Sequence, residues 1–436
     1  MPFFVELIAS CLFALAIIHT FCAPVFLRIA HMGGRHAGLF HWLGEIEVVF
    51  GIWAAALVAA IGVTVSWPAA VGYLETRNFT EPLFVTAIMV VAASRPILVA
   101  VGAAAHGVAK CLPVRRDLGL FFILLSVVPL MGSLITEPAA MTMAALMLRD
   151  SYFRHGRSEL AKCWVLAVLL VNVSIGGVLS AYAAPPVLMV ASAFGWDSAH
   201  MLTTFGWRAG VAVLLNAAVL TFLVRKTFGE PGCQGKACGL PGLQPETEPQ
   251  PQPESRPRRM PVSVITVHAC FLITIIFNAH HPVVFVGLLL LFIGYVQAYA
   301  IHQDRLMIKE GLLVGFFLAG LVVLGGLQRW WLQDLLGGLS PTVLFWGSTT
   351  LTALTDNAAL TYLGALVEGT SEHWRYMLVA GAVTGGGLTV IANAPNPAAF
   401  AILKGSFRGQ RIAPLRLFGC ALAPTLVAAT MFLLGT

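Results

Sequence analysis

Thr136-Glu137-Pro138-Ala139-Ala140-Met141-Thr142 reads onto Thr355-Asp356-Asn357-Ala358-Ala359-Leu360-Thr361, with an acid second in each stretch. Both acids fall between apolar segments, which places each carboxylate at membrane depth. An ionised carboxylate there costs ~2.5–3.5 kcal/mol on insertion scales, so it ordinarily has a partner or a function. Such a group can bind a cation or take up a proton. If the two compete for one site, their exchange is coupled without further machinery. The plainer alternative is a helix cap, in which the acid accepts backbone N–H bonds at a helix N-terminus. Thr136, Thr355 and Asn357 would add neutral oxygens beside the acids, the ligands that hard cations prefer.

A second match follows each first one. Gly176-Gly177 with Ala184-Pro185 corresponds to Gly386-Gly387 with Ala394-Pro395 at the same internal spacing. Glycines let backbone groups approach a site closely, although close helix packing in a membrane is an equal use for them. Pro185, Pro395 and Pro397 would unwind a helix and free carbonyls. Ser180, Thr389, Asn393 and Asn396 lie in the same breaks and complete the candidate ion-binding set, with Na+ expected at Glu137 and Asp356. Glu45 and Glu47, in Gly44-Glu45-Ile46-Glu47, are two apart and point to different helix faces. At most one of them faces a cavity, as a proton relay, and an interfacial pair is the alternative. Asn278, His280 and His281 read as a polar turn, and Arg95-Pro96 interrupts an apolar segment.

The elements that must position these residues are membrane helices. Hydrophobic residues make up 58% of the 436-residue chain and charged residues 11%, and the mean hydropathy is +0.84. A soluble domain carries roughly 25% charged residues, so most of this surface does not face water. The net charge of +6 points to Lys and Arg held in cytoplasmic loops and not to nucleic acid. The first thirty residues lack a basic start and carry Glu6, so a first membrane segment is expected there and not a cleaved signal. Several apolar stretches, 138–150 and 187–196 among them, are too short to cross about 30 Å of hydrocarbon. Short segments interrupted by Gly, Pro or polar residues suggest re-entrant hairpins and broken helices, tolerated where protein or a water-filled cavity satisfies the freed backbone.

A Pro-rich hydrophilic linker over 227–260 cannot bury a core and divides a first membrane repeat, 1–226, from a second, 261–436. Cys233 and Cys238 in that linker read as reduced thiols. The expected fold is an all-α polytopic membrane protein of two repeats. Charge then orients them. The loop after the first acidic motif carries Arg149, Arg154, Arg157 and Lys162, while its counterpart holds Glu368, Glu372 and one Arg. After the first broken helix, 196–206 has no Lys or Arg; its counterpart carries Lys404, Arg408, Arg411 and Arg416. The positive-inside rule then sets the repeats upside down relative to each other, the inverted topology of secondary transporters.

Leu354-Thr355-Asp356-Asn357-Ala358-Ala359-Leu360-Thr361, Gly385-Gly386-Gly387-Leu388-Thr389 and Ala392-Asn393-Ala394-Pro395-Asn396-Pro397 together resemble the putative Na+/H+ antiporter family. That family is similar to the wider ion transporter superfamily of sodium/proton antiporters, arsenite pumps and dicarboxylate carriers. The resemblance covers most of both halves and is strongest in the second. It implies a homodimer with a scaffold domain and a moving, elevator-type transport domain. Thr136 and Glu137 would form one hairpin tip, and Thr355, Asp356 and Asn357 the other. Dicarboxylate carriers of the superfamily bear Ser-Asn-Thr at these tips. The acids here favour a cation or proton over an anion.

The expectation is therefore a sodium/proton antiporter of the bacterial inner membrane. It would lie in lipid, work by alternating access, carry Na+ and H+ as cargo, and need no cofactor or nucleic acid. A sodium- or proton-coupled anion or carboxylate carrier is the alternative. A channel suits mirrored helix breaks less well. A membrane enzyme would need a metal-ligand spacing such as His-x-x-x-His, which the twelve histidines do not form.

Overall fold

The computed structural model describes residues 1–153, 157–228 and 260–435. Most of the expected linker, with Cys233 and Cys238, lies outside the described residues. Those described form α-helices joined by short 3-10 and π turns. Among the described residues, six helices are long and apolar enough to cross a membrane: Phe3–His31, Ile46–Thr64, Glu159–Leu179, Ser198–Val224, Ile308–Gly325 and Pro414–Leu433. Two bent pairs bring the number to eight if each counts as one span.

The bends have identifiable causes. Thr80–Ala92 and Arg95–Cys111 meet at 67°, where Pro96 stands in the first turn of the second helix and cannot continue the hydrogen-bond ladder. Arg116–Leu125 and Val127–Ile135 meet at 43°. Pro129 has no N–H to offer the Leu125 carbonyl four residues back, and the Asn172 side chain donates to that oxygen instead, at 2.7 Å. The apolar stretch 38–64 is likewise two helices, Ala37–Leu43 and Ile46–Thr64, parted at Gly44 and Glu45.

Each half contains the same two devices. In the first, Val127–Ile135 turns at Thr136 into Glu137–Leu148, and Glu159–Gly176 gives way to a stretch with only a short 3-10 turn before Pro185–Phe194. In the second, Pro341–Thr352 turns through 353–356 into Asn357–Ala365, and Glu372–Gly385 gives way before Asn396–Leu403. The halves interlock reciprocally. Pro185–Phe194 packs on Asn357–Ala365, Asn396–Leu403 packs on Glu137–Leu148, and the long arms Glu159–Gly176 and Glu372–Gly385 touch. The centre of this assembly is Glu159–Leu179, 89% of whose apolar window is buried, against 28% for Phe3–His31. Phe3–His31, Ile46–Thr64 and Ile308–Gly325 form one packed layer, which meets the rest where Ile308–Gly325 packs on Thr80–Ala92 and touches Asn357–Ala365.

The loops pair by charge. Lys162 donates to the Ser406 carbonyl at 2.6 Å and to Glu159 at 3.2 Å, while Glu159 accepts the Arg408 backbone N–H at 3.3 Å. The basic loop of the first half thus meets the basic loop of the second. At the other pair of loops, Trp196 donates to Glu372 at 3.2 Å.

Candidate functional site

The first hairpin turns on Thr136, whose φ of 76° is unusual for any residue but glycine and strained for a β-branched one. Its hydroxyl is buried without a hydrogen-bond partner. The strained tip starts the next helix at Glu137, followed by Pro138, which fits a first turn because its missing N–H would be unpaired there anyway. The helix N-terminus favours a negative charge at that position.

Glu137 is fully buried. Its Oε2 accepts a hydrogen bond from the Asn393 amide at 2.8 Å, and its Oε1 has no hydrogen-bond partner. A Cβ placed on Gly177 would run into the Glu137 carboxyl group. Glycine at the break is therefore what leaves room for the acid. Ser133 fixes the two elements together: its hydroxyl donates to the Gly176 carbonyl at 2.7 Å and accepts from the Leu179 N–H at 2.9 Å. Ser180 donates to the Ser133 carbonyl at 2.7 Å, so its hydroxyl joins tip to break.

The second hairpin is built differently. Asp356 is a helix cap, its Oδ1 accepting from the backbone N–H of Ala358 at 2.8 Å and of Ala359 at 3.3 Å. It is half-buried and opens onto a cavity of about 300 Å³ that Thr355, Asn393 and Glu47 also line. Asn357 is fully buried. Its backbone N–H donates to the Ala392 carbonyl at 3.1 Å, and neither side-chain polar atom has a partner. A Cβ on Gly386 would strike the Asn357 amide and the Ser174 hydroxyl, and one on Gly387 would strike the Val171 backbone. Gly386 thus makes room for Asn357, and Gly387 serves helix packing.

Asn396 donates to the Gly386 and Thr389 carbonyls at 2.7 and 2.8 Å, holding the second break open. Thr389 donates to the Ala353 carbonyl at 2.8 Å, and Thr355 to the Leu351 carbonyl at 3.0 Å. Buried oxygens of Thr136, Glu137, Asn357, Asn393 and Asn396 have no hydrogen-bond partner. All belong to a tip or a break. A set of neutral oxygens with carboxylates is the donor chemistry of a hard cation. Neither Glu137 nor Asp356 has a salt-bridge partner among the described residues.

Glu45 and Glu47 part company. Glu45 pairs with Lys309 at 3.1 Å and approaches His41 at 3.6 Å, while Glu47 faces the cavity with Asp356. Arg95 approaches Asp304 at 3.9 Å, and Asn278, His280 and His281 lie in a turn. Sequence reasoning missed Ser133 and Ser174. Their signal was position alone, four residues before Glu137 and three before Gly177. It also missed the N-terminal cavity wall, which no local pattern marks.

A family model described as Putative Na+/H+ antiporter matches residues 4–435. No curated protein matches the sequence.

Proposed function

The chain belongs to the putative Na+/H+ antiporter family, and from that premise we propose that it exchanges Na+ for protons by alternating access, with Glu137 and Asp356 as the coupling carboxylates. It is a multi-pass membrane protein, and the proposed membrane is the bacterial inner one. The observation that carries the reading is the burial of Glu137 against Asn393 of the other half without a cationic partner. A buried charge must be paired or neutralised. Na+ and H+ each meet that need, and one carboxylate cannot hold both. Exchange follows from the competition.

Inverted repeats are part of the proposal, with halves 1–226 and 261–436. What supports them is the reciprocal packing of hairpin arms on broken helices and the meeting of basic loop with basic loop through Lys162, Glu159 and Ser406. In an elevator-type cycle the hairpins and broken helices would move against the layer of Phe3–His31, Ile46–Thr64 and Ile308–Gly325. The cavity between the two groups suits such a sliding boundary. A homodimer would anchor the static layer. The anion-carrier alternative finds no Lys, Arg or His paired with either acid among the described residues.

Proteoliposomes holding a pH-sensitive dye test the reading. Na+ or Li+ added outside should drive proton movement, and Glu137→Gln or Asp356→Asn should abolish it. Uptake of an anion that neither substitution impairs, with no response to cations, would overturn it.

A further inference from the structure

The cavity in front of Asp356 is larger and more apolar than a bare ion needs. Its volume of about 300 Å³ stands at the lower end for small-molecule pockets. Phe13, Phe50, Phe317 and Trp331 supply aromatic walls. Phe50 packs edge-on against Phe13 at 5.8 Å and Phe317 at 5.3 Å between ring centroids, so these three rings support one another. Polar residues interrupt them: Thr20, Thr355, Glu47, Asp356 and Asn393. Glu47 and Asp356 are carboxylates from different elements, one from the N-terminal layer and one from the hairpin tip. Asn393 is 1% exposed and its side-chain oxygen has no hydrogen-bond partner. The lining residues include no Lys, Arg or His.

This chemistry selects its occupant. An anion meets two carboxylates with nothing to offset them. A neutral apolar molecule covers the walls and takes two partly buried carboxylates further from water without a counter-charge, which is costly. A bare cation answers the acids and leaves the aromatic walls empty. A cation carrying apolar bulk answers both, since aromatic faces attract a cation by their quadrupole and apolar area gains by leaving water.

We propose that this cavity binds a hydrophobic organic cation, an ammonium bearing an aromatic or branched aliphatic group. Its charge lies between Glu47 and Asp356, an N–H donates to Asn393, and its apolar body rests on Phe50 and Phe317. The site goes beyond Na+/H+ exchange and does not require it. Because Asp356 is shared, Na+ and the organic cation compete wherever both bind.

The test is calorimetric titration of the purified full-length protein with 2-phenylethylammonium. Methylammonium (charge without bulk) and 2-phenylethanol (bulk without charge) serve as comparison ligands. The expected result is saturable binding of phenylethylammonium, with methylammonium about tenfold or more weaker for want of the buried ring. Glu47→Gln should weaken it about tenfold or more by removing one of the facing charges. Phe317→Leu should weaken it several-fold at unchanged charge, and Glu45→Gln, outside the cavity, should leave it unchanged. Equal affinity for 2-phenylethanol, or binding indifferent to both Glu47→Gln and Phe317→Leu, would overturn the proposal. Proton flux measured on the same preparation separates the two readings. Na+-driven flux without phenylethylammonium binding sinks this inference alone. Binding without flux sinks the antiport reading alone.

Discussion

Asn393 donates its side-chain amide to Oε2 of Glu137 at 2.8 Å, across 256 positions of sequence. One bond thereby joins the tip of the first half to the break of the second, and it is the hydrogen bond that holds this fully buried acid in place. Replacing Asn393 by Leu leaves the Glu137 carboxyl without that donor. The expected cost is about 1–3 kcal/mol of stability, the penalty for stranding a buried polar group. Half-saturation for Na+ in proton-flux assays should rise with it. An unchanged Na+ response at reduced thermal stability would mark the bond as structural only.

The glycines at the breaks should not tolerate a methyl group. Gly177→Ala drives a Cβ into the Glu137 carboxyl, and Gly386→Ala drives one into Asn357 and Ser174. Both should lose Na+-driven flux in protein that still elutes as a single species. Gly210 lies inside a long helix with nothing within 4 Å of an added Cβ. Gly210→Ala should retain full flux and gain up to about 1 kcal/mol from helix propensity.

Competition between Na+ and H+ fixes the sign of the pH dependence. Lowering pH fills the carboxyl with a proton and raises the Na+ concentration needed for half-maximal flux. Below the pKa of the site that concentration should rise about tenfold per pH unit for each proton displaced, as linkage requires. Raising pH should bring it to a plateau. A half-saturation that is flat across the acid limb would mean that the two ions do not share a group.

Sidedness tests the orientation of the halves. Single cysteines at Arg149 and Arg411, placed in a background without native cysteines, should label with an impermeant maleimide from the cytoplasmic side. Cysteines at Ser198 and Glu368 should label from the opposite side. Labelling of Arg149 and Arg411 from different sides would contradict inverted repeats.

The helix ends around Thr136, Gly177, Asp356 and Gly386 were legible in two short matches of the sequence. An acid at the same place in two short matches, each followed by paired glycines, marks both tips and both breaks. Partners were not legible. Asn393 and Asn396 stand three apart in one break, and nothing local says that the first meets Glu137 while the second holds the Gly386 and Thr389 carbonyls. The two-residue spacing of Glu45 and Glu47 separates their directions, but the choice between them depends on Lys309, which is 264 positions from Glu45. The bend before the first tip was hidden as well. Pro129 signals a freed carbonyl, yet the group that takes it up, Asn172, comes from another helix. Long-range pairings in a packed bundle follow from tertiary geometry, which periodicity and spacing do not encode.

If cation and proton compete at the tips, binding of the cation must expel the proton. Purified protein in weakly buffered detergent solution should release protons when Na+ is added, and the release should saturate. Glu137→Gln and Asp356→Asn should each reduce it, and the double substitution should remove it. Undiminished release from the double variant would place the exchange elsewhere and rule out Glu137 and Asp356 as the coupling carboxylates.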